Sequence, residues 1–361
     1  MIKSLSSLLL VLLIAANACA WSNKEHIQLT RIAAQQLILH PDTPPAMKEW
    51  LKNAIAGGPQ NLEDEKEYLL HKRIGIMPRS VDGLPFWAVM PDMIGIIDRE
   101  KLVEPLGVPE HKLHYIDVEY FMPDPAARKY APDLSHKPAL KDFPRDLSDI
   151  RYQKAGMLPF AVEHVYGELI RCLRANRLDD KDGKFPRDDH ASKWAGYLAH
   201  YLQDNTQPHH ATEDYQSRSY FPLIKDPKKT PGVHGDVEYR LVDDEQNDYS
   251  DLREEFASLF VEAMQDVDDP SNSPDLWTST LQIALFSYDA LPLIGKAAVA
   301  GYPNAGQEGP GQFNADAFFH FKGDCMGKQM TVLEMKARQE ALAVKRTQTI
   351  WLRAWNEAHK P

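Results

Sequence analysis

Cysteine is scarce in this chain. Its 361 residues include three cysteines, and Cys19 lies in an N-terminal segment that we expect to be removed. Only Cys172 and Cys325 then remain, so at most one disulfide forms within the chain, and a cysteine-ligated metal site is disfavoured. Any metal chemistry must therefore use His, Asp and Glu side chains.

Basic residues are also in short supply. The chain has 41 Lys and Arg against 52 Asp and Glu, a net charge of −11 with neutral His. This balance argues against a basic groove for duplex nucleic acid. It does not exclude a polyanionic substrate held by metal ions, because a bound cation is the largest local charge in its site.

The N-terminal apolar run LLLVLLIAA is too short to make a good transmembrane span. It follows Lys3 and precedes the small residues ACA, an order typical of a secretory signal peptide. We expect residues 1–20 to be cleaved, so that the mature protein begins at Trp21 and is secreted or periplasmic. Lipoprotein attachment through Cys19 is the weaker alternative, because the residues before it lack the usual aliphatic side chain.

Strand-like alternation is scarce as well, and apolar residues recur instead at the spacing of α-helices. The predicted helices are 24–39, 155–174, 190–203, 251–265, 276–298 and 329–357. Three segments rich in proline or glycine are predicted as loops: 121–147, 222–233 and 302–312. We see no repeat and no long linker. The sequence therefore predicts an all-α protein in which residues 21–361 form a single helical domain with long surface loops.

The stretch HYLQDNTQPHH at 200–210 raises the question of a metal site. His200 and Asp204 are four residues apart, so they lie on one face of the predicted helix. Alone, such a pair is more often a surface hydrogen bond. Pro208 should end the helix and turn the chain back, which brings His210 toward the carboxylate of Asp204.

A second pair with the same spacing follows in VHGDVEYR, where His234 and Glu238 lie near the start of another predicted helix. Together with the first pair and His210, it supplies the mixed imidazole and carboxylate ligands that suit zinc. A chance arrangement becomes less credible with each added pair.

The new N-terminus offers further ligands. Ser22 and Glu25 have the spacing of a capping box, which predicts a helix starting directly after Trp21. His26 then points back toward the freed amine, because helical side chains tilt toward the N-terminus. An α-amino group with a pKa of about 8 is deprotonated by a metal at neutral pH, and together with its own carbonyl oxygen it forms a chelate.

These motifs together resemble one superfamily. Trp21 with a His soon after it, LHYIDV at 113–118, H-x-x-x-D with QPxH at 200–210, and H-x-x-x-E at 234–238 are similar to the bacterial zinc-dependent phospholipases C and the fungal-type single-strand nucleases (nuclease P-one). The similarity spans most of residues 21–240, and the ordered combination is highly specific.

The resemblance implies a cluster of three zinc ions. The implied ligands are Trp21 (amine and carbonyl) and His26 at one ion, His114, His200 and Asp204 at another, and His210, His234 and Glu238 at the third, with Asp204 as a bridge. The neighbouring His111 and His209 are less favoured, because the family's ligand histidines occupy the positions of His114 and His210.

The superfamily also needs an aspartate before the LHYIDV segment. Asp92 is our prediction, both as a metal ligand and as the catalytic group that accepts or relays a proton. It precedes His114 by a somewhat longer gap than the family pattern, and Asp98 is the alternative.

The implied activity is hydrolysis of a phosphodiester by zinc-activated water. The substrate is either single-stranded nucleic acid, which needs aromatic platforms for its bases, or phospholipid, which needs an apolar approach and a seat for the head group. The aromatic candidates, each of which can equally be a core residue, are Phe86, Trp87, Tyr215, Tyr220 and Phe221. Glu238 favours the phospholipase branch and LHYIDV the nuclease branch. No obligate protein partner is implied.

Two other hypotheses compete with the enzyme. In one, the chain is a secreted non-catalytic helical protein in which zinc only holds helices together. In the other, the histidines are unrelated surface residues and no zinc is tightly bound. The protein with structural zinc would have no open coordination position and no turnover. The protein with unrelated surface histidines would retain no zinc after dialysis.

Overall fold

The computed structural model describes most of the chain after the expected cleavage point. The described residues are 21–56, 83–92, 102–103, 106–124, 134–179, 189–242, 244, 246–307 and 309–360. The predicted signal peptide, 1–20, lies outside them. The protein is mostly helical, which confirms the all-α prediction.

The helices account for nearly all of the regular structure in these ranges. They are α1 (Asn23–Leu39), α2 (Pro45–Ala56), α3 (Leu84–Trp87), α4 (Tyr152–Ala155), α5 (Leu158–Arg174), α6 (Ala191–Asp204), α7 (Val233–Glu238), α8 (Ser250–Asp266), α9 (Leu276–Tyr288), α10 (Leu291–Gly301), α11 (Ala315–Phe319) and α12 (Val332–Ala358). Short 3₁₀ turns occupy Glu110–Leu113, Val118–Phe121, Leu134–His136, Leu140–Asp142, Pro208–Ala211, Arg218–Tyr220 and Pro227–Lys229.

Two predicted helices are interrupted. The segment 276–298 divides into α9 and α10, because Pro292 has no N–H with which to continue the helical ladder. The segment 155–174 divides at Gly156, whose φ of 86° lies in the left-handed region. A Cβ at this glycine would meet the backbone and ring of Tyr115, so its absence lets the start of α5 approach the LHYIDV segment.

Within the described ranges, strands are confined to two small antiparallel pairs that the sequence did not suggest. Strand β1 (Leu102–Val103) pairs with β2 (Val108–Pro109), with Leu102 opposite Pro109. Strand β3 (Lys322–Cys325) pairs with β4 (Lys328–Thr331), with Cys325 opposite Lys328. The second pair occupies the start of the predicted helix 329–357, which therefore begins only at Val332.

The core lies between long helices. Helix α8 packs on α12, α5 on α6, and α1 on both α2 and α12. One cluster of buried apolar side chains extends from Trp21 to Trp355, so α1 and α12 share the same core. Cys172 and Cys325 are buried free thiols.

The segment Leu276–Gly301 is, by length and composition, the one candidate membrane span among the described residues. It comprises α9 and α10, and 61% of its most apolar window is buried inside the protein. Such burial is what a core helix of a globular protein shows, so this segment is weak evidence for a membrane span.

A buried ion network joins the two ends of the described chain. The Nζ atom of Lys336, on α12, lies 2.6 Å from Glu25 Oε1 and 2.9 Å from Glu340 Oε1. The same ammonium group lies 4.3 Å from the centroid of the Trp21 ring. Ser22 and Glu25 form the predicted capping box at the start of α1. Residue 21 is therefore held by the last helix as well as the first.

Candidate metal centre

Helix α6 supplies the centre of the site. His190 caps its first turn by accepting a hydrogen bond from the Lys193 N–H, and the helix ends at Asp204, four residues before Pro208. His200 and Asp204, at i and i+4, lie on one face of α6 as predicted. Both side chains are fully buried. The pair is therefore not an isolated hydrogen bond on the protein surface.

Close approach of α3 to α6 orients His200. A Cβ at Gly196 would lie 2.5 Å from Trp87 Cβ and 2.9 Å from the Ala88 N, so glycine is required for this contact. The approach places the Ala88 carbonyl 2.7 Å from His200 Nδ1. Donation from Nδ1–H to that carbonyl leaves the Nε2 lone pair of His200 facing the site.

His114 enters from the turn after Glu110–Leu113. Its Nδ1 lies 2.8 Å from Asp204 Oδ2, and its Nε2 lies 2.8 Å from Glu110 Oε2. The other oxygen of Glu110 accepts a 2.7 Å hydrogen bond from the Tyr201 hydroxyl. Glu110 thus holds the outer nitrogen of His114, as an outer-shell carboxylate does for a ligating imidazole.

The segment after α6 is tied to the LHYIDV segment. Ile116 N–H donates to the His210 carbonyl at 2.9 Å, and His210 Nδ1 donates to the His114 carbonyl at 2.7 Å. His210 Nε2 then lies 3.9 Å from Glu238 Oε1, which also contacts His234 Nε2. Gln207 Nε2 donates to that Glu238 oxygen at 2.9 Å, so the turn after α6 also orients the carboxylate on α7.

The remaining predicted ligands are Trp21, His26 and Asp92. His26 lies at the other oxygen of Asp204, whereas Asp92 lies beside His114 and His200. His26 Nε2 lies 3.4 Å from Asp204 Oδ1, whereas Asp204 Oδ2 faces His114 and His200. Trp21 is fully buried, and its indole N–H donates to the Gln203 carbonyl on α6 at 3.0 Å. Asp92 Oδ1 lies 3.5 Å from both His114 Nδ1 and His200 Nε2.

Three groups of buried side chains within the described ranges are able to hold metal ions. They are His26, Asp92 and His200; His114, His200 and Asp204; and His210, His234 and Glu238, with the ligand atoms of each group within 4.8 Å of one another. His200 belongs to two groups, and Asp204 directs one oxygen to each side. The second and third groups have the membership expected from the sequence.

Unsatisfied polar atoms test whether these residues fit a metal. Within the described chain, His26 Nε2, Asp204 Oδ1 and both oxygens of Asp92 are buried without a hydrogen-bond partner. Leaving a buried acceptor unpaired costs about 1–3 kcal/mol, and more for a charged group. A cation bound among these side chains would satisfy such atoms, so the residues fit a metal.

The pKa values of Asp92, Asp204 and His114 are shifted by burial and by nearby charges in different directions, whereas those of His210 and His234 are both lowered by burial. Burial raises the pKa of Asp92 to about 6 against the attraction of nearby imidazoles. Burial also opposes ionisation of Asp204 and protonation of His114, but charges and hydrogen bonds around them prevail, so the pKa of Asp204 is lowered and that of His114 raised. Burial lowers the pKa of His210 to about 4 and that of His234 well below its ordinary value. The imidazoles of His210 and His234 are therefore neutral at pH 7.

Several candidates lie outside the three groups. Asp98, the alternative to Asp92, is outside the described residues, and His111 belongs to none of the groups. His209 is buried beside His234, with its Nε2 3.3 Å from Ser217 Oγ. Among residues missed from the sequence, Glu110 and Gln207 are hydrogen-bonded to the predicted ligands His114 and Glu238. A carboxylate at i−4 from His114 was the available signal for Glu110.

The aromatic candidates divide by exposure. Phe86 and Trp87 are 4% exposed and belong to the core, whereas Tyr220 and Phe221 are partly buried. Tyr215 is 42% exposed, and its ring centroid lies 5.8 Å from that of His234. An exposed aromatic ring therefore stands next to the His210 and His234 side of the centre.

Comparison of the chain with protein-family models, with curated proteins and with solved structures found no match.

Proposed function

We propose that this protein is a secreted, zinc-dependent phosphodiesterase of the phospholipase C and nuclease P-one type, with three zinc ions. The carrying observation is that three groups of buried His, Asp and Glu side chains adjoin one another, with His200 shared between two of them. Motif order along the chain, from Trp21 to Glu238, is the second support. Mixed imidazole and carboxylate ligands favour zinc over calcium or magnesium.

Closely spaced cations of this kind neutralise the charge of a phosphodiester and activate water for in-line attack. The protein itself supplies the side chains that hold the cations and a group that accepts a proton. Asp92 suits the second role, because its oxygens have no hydrogen-bond partner among the described residues and one of them lies 3.5 Å from both His114 and His200.

Substrate reaches the centre from the side of His210 and His234. His210 and His234 are each 5% exposed, close to the 4% of Asp92 and the 3% of His114, whereas His26, His200 and Asp204 are fully buried. Tyr215 provides an aromatic surface at this side, of a kind that stacks on a nucleic-acid base or faces a cationic head group. Single-stranded nucleic acid and phospholipid are therefore both retained as substrate classes.

The alternative function is a non-catalytic protein with structural zinc. The complete burial of His26, His200 and Asp204 favours it, because structural sites are closed and catalytic sites keep an open position. The exposed Tyr215 ring next to His234 favours the enzyme, because it offers a substrate a surface beside the centre.

The test uses the mature chain beginning at Trp21 and loaded with zinc. Its hydrolysis of bis-p-nitrophenyl phosphate, single-stranded DNA, single-stranded RNA and phosphatidylcholine is measured before and after chelation. We expect zinc-dependent turnover of the generic diester and of one natural substrate class. His234→Ala should abolish it, whereas His320→Ala, at an exposed histidine paired with Asp316 and Glu255, should retain it. Tight zinc binding without turnover would establish the structural alternative.

A further inference from the structure

Gln203 lies on α6 between the two ligands His200 and Asp204, and its side chain reaches His26. The Oε1 atom of Gln203 lies 2.6 Å from His26 Nδ1, and the side chains of these two residues, of His200 and of Asp204 are all fully buried. Both ends of the Gln203 amide are hydrogen-bonded, to His26 and to Thr30. Gln203 is therefore placed to act on a ligand rather than to be one.

The structure directs the oxygen of the Gln203 amide toward His26 and its nitrogen toward Thr30. Gln203 Nε2 donates to Thr30 Oγ1 at 3.0 Å, which is one turn further along α1 than His26. With the amide nitrogen directed to Thr30, the oxygen faces the imidazole. An amide oxygen only accepts hydrogen bonds, so His26 Nδ1 must carry the proton.

This assignment decides what His26 offers to the centre. A neutral imidazole protonated at Nδ1 has its lone pair at Nε2. His26 Nε2 is buried, has no hydrogen-bond partner in the described part of the chain, and lies 3.4 Å from Asp204 Oδ1. Gln203 thus directs the only free lone pair of His26 toward the carboxylate that the other ligands share.

The backbone of the same residue holds the other N-terminal candidate. The carbonyl of Gln203 accepts the indole N–H of Trp21 at 3.0 Å, and Thr206 Oγ1 lies 3.3 Å from the same nitrogen. One residue of α6 therefore contacts both Trp21 and His26. These are the two residues expected to hold the N-terminal ion.

We infer that Gln203 is the positioning residue of the N-terminal metal site, where its side chain selects the tautomer of His26 and its carbonyl seats Trp21. The inference rests on the proposed function in so far as an ion binds there. Outer-shell partners of this kind typically change metal affinity about 10–100-fold.

The first experiment needs no metal. In the full mature chain, stripped with chelator and labelled with ¹⁵N, long-range ¹H–¹⁵N correlation spectra report the tautomer of each histidine. We expect His26 to be protonated at Nδ1, and to lose this single state in Gln203→Met, which keeps a similar volume but accepts a hydrogen bond only weakly. An Nε2-protonated His26 in the unsubstituted chain would overturn the inference.

The second experiment counts zinc ions by mass spectrometry after dialysis. Gln203→Met should lose one ion, with an affinity at that position lower by about 10–100-fold, whereas Gln203→Glu should retain it because a carboxylate also accepts the Nδ1–H. The matched control is Gln207→Met, which breaks the bond to Glu238 and should affect the ion near His210 and His234 instead.

These outcomes separate two kinds of failure. If Gln203 is merely structural, both of its variants lower the melting temperature while the number and affinity of the ions stay unchanged, and the inference is wrong. If the unsubstituted protein hydrolyses no diester, the proposed function fails, yet the tautomer and ion count still decide the role of Gln203.

Discussion

His114 Nδ1 lies 3.0 Å from His200 Nε2, although each ring has its other nitrogen bonded outward, to Glu110 and to the Ala88 carbonyl. In two neutral rings so held, the facing nitrogens both present lone pairs, which repel each other. In the metal-free protein, a proton on one of the two rings removes this repulsion. The raised pKa of His114 agrees with such a proton: burial opposes the rise, but Glu110 and Asp204 produce it. Metal binding at this point should therefore release a proton.

Asp204→Asn should disrupt more than one ion. Each oxygen of Asp204 faces a different group of ligands, and an amide nitrogen cannot coordinate a cation. We expect two ions to be lost on dialysis, against one for His234→Ala, with activity reduced by at least about 100-fold. Elemental analysis of both variants gives the comparison, and equal losses would contradict a bridging role.

Glu110→Gln should weaken zinc binding at His114. The substitution places an NH₂ group opposite either the Tyr201 hydroxyl or the His114 Nε2–H, both of which now donate to the carboxylate. A loss of about 10–100-fold in affinity is expected, measured by competition with a chromophoric chelator. Tyr201→Phe, which keeps the contact between Glu110 and His114, should have the smaller effect.

Removing metal should destabilise the fold. Without cations, the unpaired buried oxygens of Asp92 and Asp204 lose their compensation. At free zinc about 1,000-fold above the dissociation constant, each ion contributes about 4 kcal/mol of stability. The melting temperature in EDTA, compared with that in excess zinc, measures the sum. Identical melting curves would show that no ion binds the folded chain.

One extra residue before Trp21 should cost one ion. The added peptide bond turns the terminal amine into an amide, which cannot ligate zinc at neutral pH. We expect the groups around His114 and His234 to keep their ions, with most activity lost. Full occupancy in this variant would refute the terminal chelate, and a chain beginning with Trp21 serves as the control.

Glu119 should make stability depend on pH. Burial raises its pKa to about 7, against hydrogen bonds such as that from Thr212. Because the folded pKa exceeds the unfolded value, the native state binds the extra proton, so this contribution is full below pH ~4.5 and is lost as pH rises toward 7. The loss of this contribution is about 3 kcal/mol, the free-energy equivalent of the pKa shift.

The measurement is the slope of unfolding free energy between pH 4.5 and 7 in urea. Glu119→Gln should flatten the decline relative to the unsubstituted protein, whatever its effect on absolute stability. Glu49→Gln, at an exposed carboxylate on α2, is the control. An unchanged slope in Glu119→Gln would show that this carboxyl is ionised in the folded protein.

The spacing of residue types along the chain predicted the features that depend on residues close together in the sequence. The pair His200 and Asp204 shares a helix face because of its spacing, and the capping box at Ser22 and Glu25 forms as expected. The break in the predicted helix 276–298 also had a local signal, because Pro292 lacks an N–H. The helical spacing of apolar residues across the segment nevertheless led us to predict one continuous helix.

Contacts between distant segments could not be predicted in this way. His114 and Asp204 meet across 90 positions, and Gln203 reaches His26 across 177. Spacing identifies chemically suitable side chains, but it does not say which amide or carboxylate will lie behind each ring. The roles of Glu110 and Gln203 therefore emerge only from the folded chain.

The ion network of Lys336, Glu25 and Glu340 has a consequence for the order of biosynthesis. Lys336 lies over the Trp21 ring, yet the ribosome makes it more than 300 residues later. Until α12 is synthesised, Glu25 lacks its buried counter-ion and the Trp21 ring lacks its contact with Lys336. The N-terminal site is thus completed last, and only full-length chains are expected to acquire their whole complement of metal.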